Sequence, residues 1–342
     1  MTPDPELVGI VSAPILVRAL TRAVSGRRLL LAGLVFACSA CASPALGPPA
    51  VKTGGVASAR ALPPTVEELK HMTYAGLDER LGPVTLENGR WAGEPFAPGT
   101  ASRPVVELAG DFRVVGDLDG DGLDEAVVVL TYSPGGTAAW SFLAVVTRGG
   151  GTLRNVATTA LGDRVQIRSA RIEDKRLIVS AVRAGEHDAA CCPGELVEWQ
   201  WTLGEGRLNA LGTVRTGRLS LATLAGSVWV LRAWDLTEPA GSEPIVTLVY
   251  DAGRFAGTGG CNRYMAGVTA GDVPGQVMVG PLAGTRMACP EPQSSVEARF
   301  LEQLGGARTF GFMLGRLAIS YARGDGSRGT MLFEARSPSK EP

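Results

Sequence analysis

Five oxygen-bearing side chains crowd into nine residues at Asp117-Leu118-Asp119-Gly120-Asp121-Gly122-Leu123-Asp124-Glu125. With Asp117 as position 1, acidic groups stand at positions 1, 3, 5, 8 and 9 and a glycine at 6, an arrangement that suits calcium, a hard cation that takes about six to eight oxygens. Gly120 and Gly122 relax the backbone enough for Asp117, Asp119, Asp121, Asp124 and Glu125 to turn inward. The residue at position 12 is Val128, so the bidentate glutamate of a twelve-residue calcium loop is missing. The alternative is a tight Asp/Gly turn, held by side-chain to backbone hydrogen bonds alone, that feeds the buried strand Ala126-Val127-Val128-Val129-Leu130. Bound calcium would be structural, with an affinity of about 0.1 mM to millimolar.

Thiols supply the second chemistry. Cys191-Cys192-Pro193 follows His187-Asp188, and a thiol near an imidazole is the raw material of a nucleophile. Adjacent cysteines rarely bond to each other because the eight-membered ring strains the backbone, so Cys191 and Cys192 are expected to be buried or cross-linked to other segments. Cys261 and Cys289 stand in Gly259-Gly260-Cys261-Asn262-Arg263-Tyr264 and Thr285-Arg286-Met287-Ala288-Cys289-Pro290. A Gly-rich turn before Asn and Arg could cradle an anion, but a P-loop is excluded because no Lys-Ser/Thr and no helix follow. In an exported chain the simpler reading is a disulfide, worth about 3 kcal/mol by loop entropy.

The elements that must position these groups are mostly strands. The chain has 342 residues, 45% hydrophobic and 20% charged, with 45 Gly, 22 Pro, only 2 His and a net charge of -1. That describes a globular protein with many turns, long enough for two domains. It excludes the disordered class and offers no basic excess for nucleic acid. From Val105 onward, strands are predicted over 126–132, 141–147, 164–169, 177–182 and 196–203. In the last of these, Val197, Trp199, Trp201 and Leu203 alternate with Glu198, Gln200 and Thr202, giving one wet and one buried face. Thr65 with Glu68 is a capping box for a short helix, and Trp91 falls in a turn-rich patch. Ser294 with Glu297 reads as a second capping box. It opens a helix on which Val296, Phe300, Leu301 and Leu304 share a face and which Gly305-Gly306 ends.

At the N-terminus, Arg27-Arg28 precede the apolar run Leu29–Ala37, too short to span a bilayer and typical of an export signal. About 24 residues come before the charged stretch that opens at Ser25, which points to a true start near Val24. Arg27-Arg28 also carries a weak likeness to a twin-arginine signal. Neither cysteine at its end makes a complete lipobox. Cys38 has Phe36 in a small-residue slot, and Cys41 has Cys38 where Leu is expected. Parity favours lipidation at Cys41 over Cys38, because four cysteines then remain to pair; secretion after ordinary cleavage near Ala42 is the alternative. The chain thus divides into a signal region (1–42), a flexible tether (43–63), a β-rich domain (64–217), a second domain (218–336) and a disordered tail (337–342). The join near Arg218 has no low-complexity linker, which leaves the two bodies free to touch.

The second body resembles the META domain family, which includes the HslJ-type heat-shock lipoproteins. The likeness covers about a third of the chain, from Leu221 to Ala335. It rests on Trp229-Val230-Leu231, on Gly260, Cys261, Asn262, Arg263 and Tyr264, and on Thr285, Arg286, Met287 and Cys289. The resemblance implies a mainly β fold wrapped on one helix, an envelope location and an association with stress tolerance, including tolerance of novobiocin; it implies no catalytic residues. The preceding body is similar to uncharacterised lipoprotein segments with the Asp117–Glu125 turn and the Cys191-Cys192-Pro193 block, and that turn also resembles the loops of FG-GAP or dockerin repeats. The expected protein is α+β and mainly antiparallel β, a non-catalytic envelope lipoprotein held to the membrane by its N-terminal lipid. Its partner is an envelope ligand or protein that the sequence does not name. A calcium-stabilised interaction module and a thiol enzyme using His187 are the rival readings.

Overall fold

A computed structural model describes residues 62–100, 102–189 and 191–336. The signal region with Cys38 and Cys41, the tether before Leu62 and the tail 337–342 lie outside the described residues. The architecture is mainly antiparallel β with two α-helices among the described residues, as the composition leads one to expect. None of these helices is long and apolar enough to cross a membrane.

The first sheet is a meander of five antiparallel strands, Arg90–Ala92, Val105–Gly116, Glu125–Ser133, Trp140–Gly149 and Thr152–Asp163. Trp91 therefore lies in a short edge strand rather than a turn, paired with Val106. The strand Glu125–Ser133 is buried on both faces. Ala126, Val128, Leu130 and Tyr132 point into one core with Leu69, Tyr74, Val84 and Leu86, while Val127 and Val129 enter another with Leu143, Val179, Val197 and Trp199. An uninterrupted apolar run suits such a position, because neither face has to be wet.

The second core is shared with a four-stranded meander, Gln166–Glu173, Arg176–Arg183, Glu195–Gly204 and Arg207–Arg218. In the Glu195–Gly204 strand, Val197, Trp199 and Trp201 are buried while Glu198, Gln200 and Thr202 are half-buried, which is the predicted alternation. The strands are longer than the short runs expected, because β-bulges let them bend and continue. At the N-terminal edge, Thr65 caps the helix Val66–Leu69: Glu68 N donates to the Thr65 hydroxyl, and the Thr65 amide donates to the Glu68 carboxylate at 2.8 Å.

The C-terminal sheet has ten strands, whose main path runs from Val277–Val279 through Arg263–Ala270, Arg254–Thr258, Thr247–Asp251, Val228–Trp234, Arg328–Arg336 and Arg316–Ala322 to Ala307–Met313. Its two ends meet, with Gln276 bridging Thr309 and the Phe310 amide donating to Gly275 O at 2.7 Å, so the sheet curls into a barrel-like body. The helix Gln293–Gly305 buries Phe300 and Leu304 in its core, and Val296 and Leu301 pack at the margin. The helix start differs from the capping box expected at Ser294. Pro292 occupies the N-cap, no side chain caps it, and Glu297 turns away to another partner.

The two halves touch through specific bonds. Phe312 N donates to Gln166 Oε1 at 2.9 Å, Gly315 N to Ile167 O at 2.9 Å, and Leu219 N to Gly194 O at 2.8 Å. The Arg168 guanidinium stacks over the Phe312 ring at 4.9 Å.

Candidate functional site

Asn262 is the centre of the most connected cluster in the C-terminal body, and it is only 7% exposed. Its carboxamide oxygen accepts from the Thr285 hydroxyl at 2.7 Å and from Met287 N at 2.8 Å. Its amide nitrogen donates to Glu297 Oε1 at 3.0 Å and Met287 O at 3.2 Å, and its own backbone N–H donates to Glu297 Oε2. Three separate stretches, the 260–264 turn, the 285–289 turn and the helix, are thereby tied at one side chain. Cys261 and Cys289 lie at disulfide distance beside it, with Cα atoms 6.2 Å apart, as the export reading expects. Gly260 sits at φ +115°, where a Cβ would also press on Pro244. Tyr264 is buried against Phe300, its hydroxyl donating to Thr247 O at 2.9 Å, and burial pushes its phenol well above the usual tyrosine range. Arg263, Arg286 and Met287 are exposed at the rim. The polar groups of this motif are thus largely consumed in holding the loops.

The META domain family profile matches residues 222–334. Residues 222–334 are a META domain. No curated protein matches the chain. An NMR structure of a protein from Burkholderia xenovorans is similar over 34% of this chain and 86% of that one, at 24% identity and a TM-score of 0.25. The matched stretch begins within the 3-10 turn Leu221–Leu224, whose Leu224 carbonyl accepts from the Trp229 indole at 3.0 Å.

Outside the META domain, the Asp/Gly loop is largely self-satisfied. The Asp117 carboxylate accepts from Gly120 N at 2.6 Å and Gly122 N at 3.2 Å, Asp119 from Asp121 N at 2.9 Å, and Asp121 from Leu123 N at 2.7 Å. Glu125 is fully buried and accepts from Leu118 N at 2.9 Å and the Thr147 hydroxyl at 3.3 Å. Burial raises its carboxyl above the ordinary value, against the pull of the Leu118 amide. Of the five expected ligands, the oxygens of Asp117, Asp119 and Glu125 lie within 4.8 Å of one another, while Asp121 and Asp124 fall outside that group. Gly120 also makes room for the Lys175 side chain, where any Cβ would collide with it.

The Cys191-Cys192 block departs from the expectation of distant cross-links. The two cysteines are bonded to each other, with Cα atoms 3.8 Å apart. The reason lies in the turn that carries them. Asp188, its side chain 2% exposed, accepts from Gly185 N at 2.8 Å and Gly194 N at 2.7 Å and pairs with Arg218, closing the segment on itself. The other described cysteines are already paired with one another. Burial alone would raise the Asp188 carboxyl, but the hydrogen bonds from Arg218, Gly185 and Gly194 hold it below the usual aspartate range. His187 is exposed, and in the oxidised pair neither sulfur is a free thiol for it to activate.

Proposed function

We propose that this chain is an exported lipoprotein of the cell envelope, anchored through Cys41, whose META domain serves as a non-catalytic binding or stress-response accessory. The observation that carries the reading is the use made of the motif itself. Asn262, Thr285 and Glu297 spend their hydrogen bonds on one another and on backbone, which is the behaviour of a scaffold. Two cysteine pairs at bonding distance support an oxidising compartment. The stress role comes from the resemblance to heat-shock lipoproteins. Intact mass spectrometry of the membrane-extracted protein tests the anchor, which requires a diacylglyceryl mass on Cys41 and two disulfides. Growth of a deletion strain in novobiocin tests the role. Restored tolerance with the wild-type gene supports it, and unchanged tolerance on deletion removes it.

A second reading, a calcium-stabilised interaction module, is favoured by the clustering of the Asp117, Asp119 and Glu125 oxygens. Calorimetric titration of the full chain with calcium decides it. Heat of binding with a raised Tm supports that reading, and a flat trace ends it.

A further inference from the structure

On the outer face of the META sheet is a cleft of about 650 Å³ lined by Asp235, Arg308, Thr309, Ser320, Arg328 and Thr330 among others. The three hydroxyls form a row across three adjacent strands, since Thr309 is opposite Ser320 and Ser320 opposite Thr330. Ser320 and Thr330 share one hydrogen bond of 2.8 Å, so whichever hydroxyl accepts in that bond keeps its own proton to give to a ligand. Arg308 is the extra residue of a β-bulge between Ala307 and Thr309. A bulge breaks the alternation of the strand and re-aims a side chain, here toward the cleft. Arg328 enters from the far strand of the three, Arg328–Arg336, across the intervening Arg316–Ala322. Neither guanidinium has a carboxylate partner among the described residues, although the protein pairs many of its other arginines.

The one acid in the cleft wall is already neutralised. Asp235 accepts from the Tyr321 hydroxyl and from Arg323 at 2.9 Å, with Arg299 at 3.6 Å. Burial would raise its carboxyl, but those hydrogen bonds and charges outweigh it and hold the group below the ordinary range. Gly329 is what permits this, because a Cβ there would overlap both the Asp235 carboxylate and the Tyr321 hydroxyl. Asp235 and Leu236 are consecutive non-glycine residues at φ 45° and 74°. Such costly backbone persists where surrounding contacts over-determine it, and it clusters at binding sites.

We propose that this cleft binds a phosphate ester, with the Arg308 and Arg328 guanidiniums clamping the phosphoryl oxygens and the Thr309, Ser320 and Thr330 row contributing hydroxyl donors. Forked guanidinium donors match the oxygens of a phosphoryl group, and the volume exceeds what a bare oxyanion would fill, leaving room for the organic body that carries it. The same chemistry is offered by a soluble phosphate ester and by an anionic phospholipid headgroup. The proposal stands on the cleft alone and does not depend on the envelope reading.

The test uses the full chain with two probes, sn-glycerol 3-phosphate in calorimetry and vesicles of phosphatidylglycerol against phosphatidylcholine in co-sedimentation. Binding of either anionic probe, weakened about tenfold or more in the Arg308→Ala, Arg328→Ala double variant, is the expected result. A Ser320→Ala variant should weaken it further. An Arg80→Ala, Arg176→Ala double variant removes the same charge from exposed positions elsewhere and should bind as wild type. Binding of glycerol phosphate alone assigns a soluble ester, and phosphatidylglycerol-selective sedimentation assigns a lipid headgroup. The proposal is overturned if neither probe binds, or if both double variants lose binding equally. Unchanged Tm in the Arg308 and Arg328 variant keeps a folding defect from passing for a lost site.

Discussion

Asn262 shows how a single side chain can substitute for a stretch of regular structure. Its partners are Thr285 and Met287 from one segment and Glu297 from the helix, so Asn262→Ala leaves a half-buried glutamate oxygen and two loop donors without their partner. Unsatisfied buried groups cost about 1–3 kcal/mol each. Because these groups are only partly covered, urea unfolding should show a loss of about 1–3 kcal/mol in all, and an unchanged midpoint would mean that the loops are held elsewhere. Asp188 is the equivalent residue in the first half. Its carboxyl lies below the ordinary value of 3.8, so the stability it contributes is complete above that value and is lost as pH falls below it. Asp188→Asn should flatten the acid side of the stability curve, as read by Tm against pH. The motif residues around Cys261 and Cys289 were visible in the sequence as a spaced pair of blocks. Glu297, 35 residues from Asn262, was not, because its Ser294 neighbour imitates a helix cap and nothing local says which way the carboxylate faces.

At the scale of elements, the N-terminal helix illustrates a cap that the spacing does specify. Thr65 and Glu68 face each other across one turn, and Arg148 from a distant strand donates through Nη2 to both carboxylate oxygens of Glu68, at 2.7 and 2.8 Å. The Arg148 hydrogen bonds, with those from Thr65, lower the Glu68 carboxyl from 4.5 to about 2. Its contribution is thus present above about pH 4.5 and is lost as pH falls toward 2. Glu68→Gln should remove that pH dependence, and Thr65→Ala should cost about 1 kcal/mol in thermal or urea unfolding. Strands were legible wherever apolar runs or alternation marked them, as in Val197, Trp199 and Trp201. The strands Thr152–Asp163 and Arg207–Arg218 escaped notice because much of their surface stays exposed and their side chains carry little pattern. The bulge at Arg308 has no sequence signal at all, since it is a property of the register with its neighbour.

Among the described residues, the sheets before Arg218 and the META sheet meet through the bonds at Gln166 and the strand Ala307–Met313 and through apolar packing that puts Val182 and Leu196 into the META core. Gln166→Ala removes the acceptor for the Phe312 amide and should lower stability by about 1 kcal/mol. Hydrogen exchange at the Phe312 and Gly315 amides should quicken, with amides inside the five-stranded sheet unaffected. Uniform acceleration everywhere would instead mean that the two bodies unfold as one. The META domain could be read from its own residues, whereas the way the first body backs onto it depends on loops that only the folded chain brings together.

The strand Glu125–Ser133, buried on both faces, has a cost that is felt before the protein is folded. While the chain is still extended, Ala126 to Leu130 is an uncharged apolar run built on three consecutive valines with nothing to cover it, the kind of segment that pairs with copies of itself. Asp117, Asp119, Asp121, Asp124 and Glu125 stand directly ahead of it, so charge repulsion guards the run during the interval in which it is sticky. By this account the acidic turn has a kinetic duty in the nascent chain that is separate from anything it holds once folded. Replacing Asp119 and Asp121 with Asn should raise light scattering on refolding from urea, with the Tm of the protein that does refold nearly unchanged.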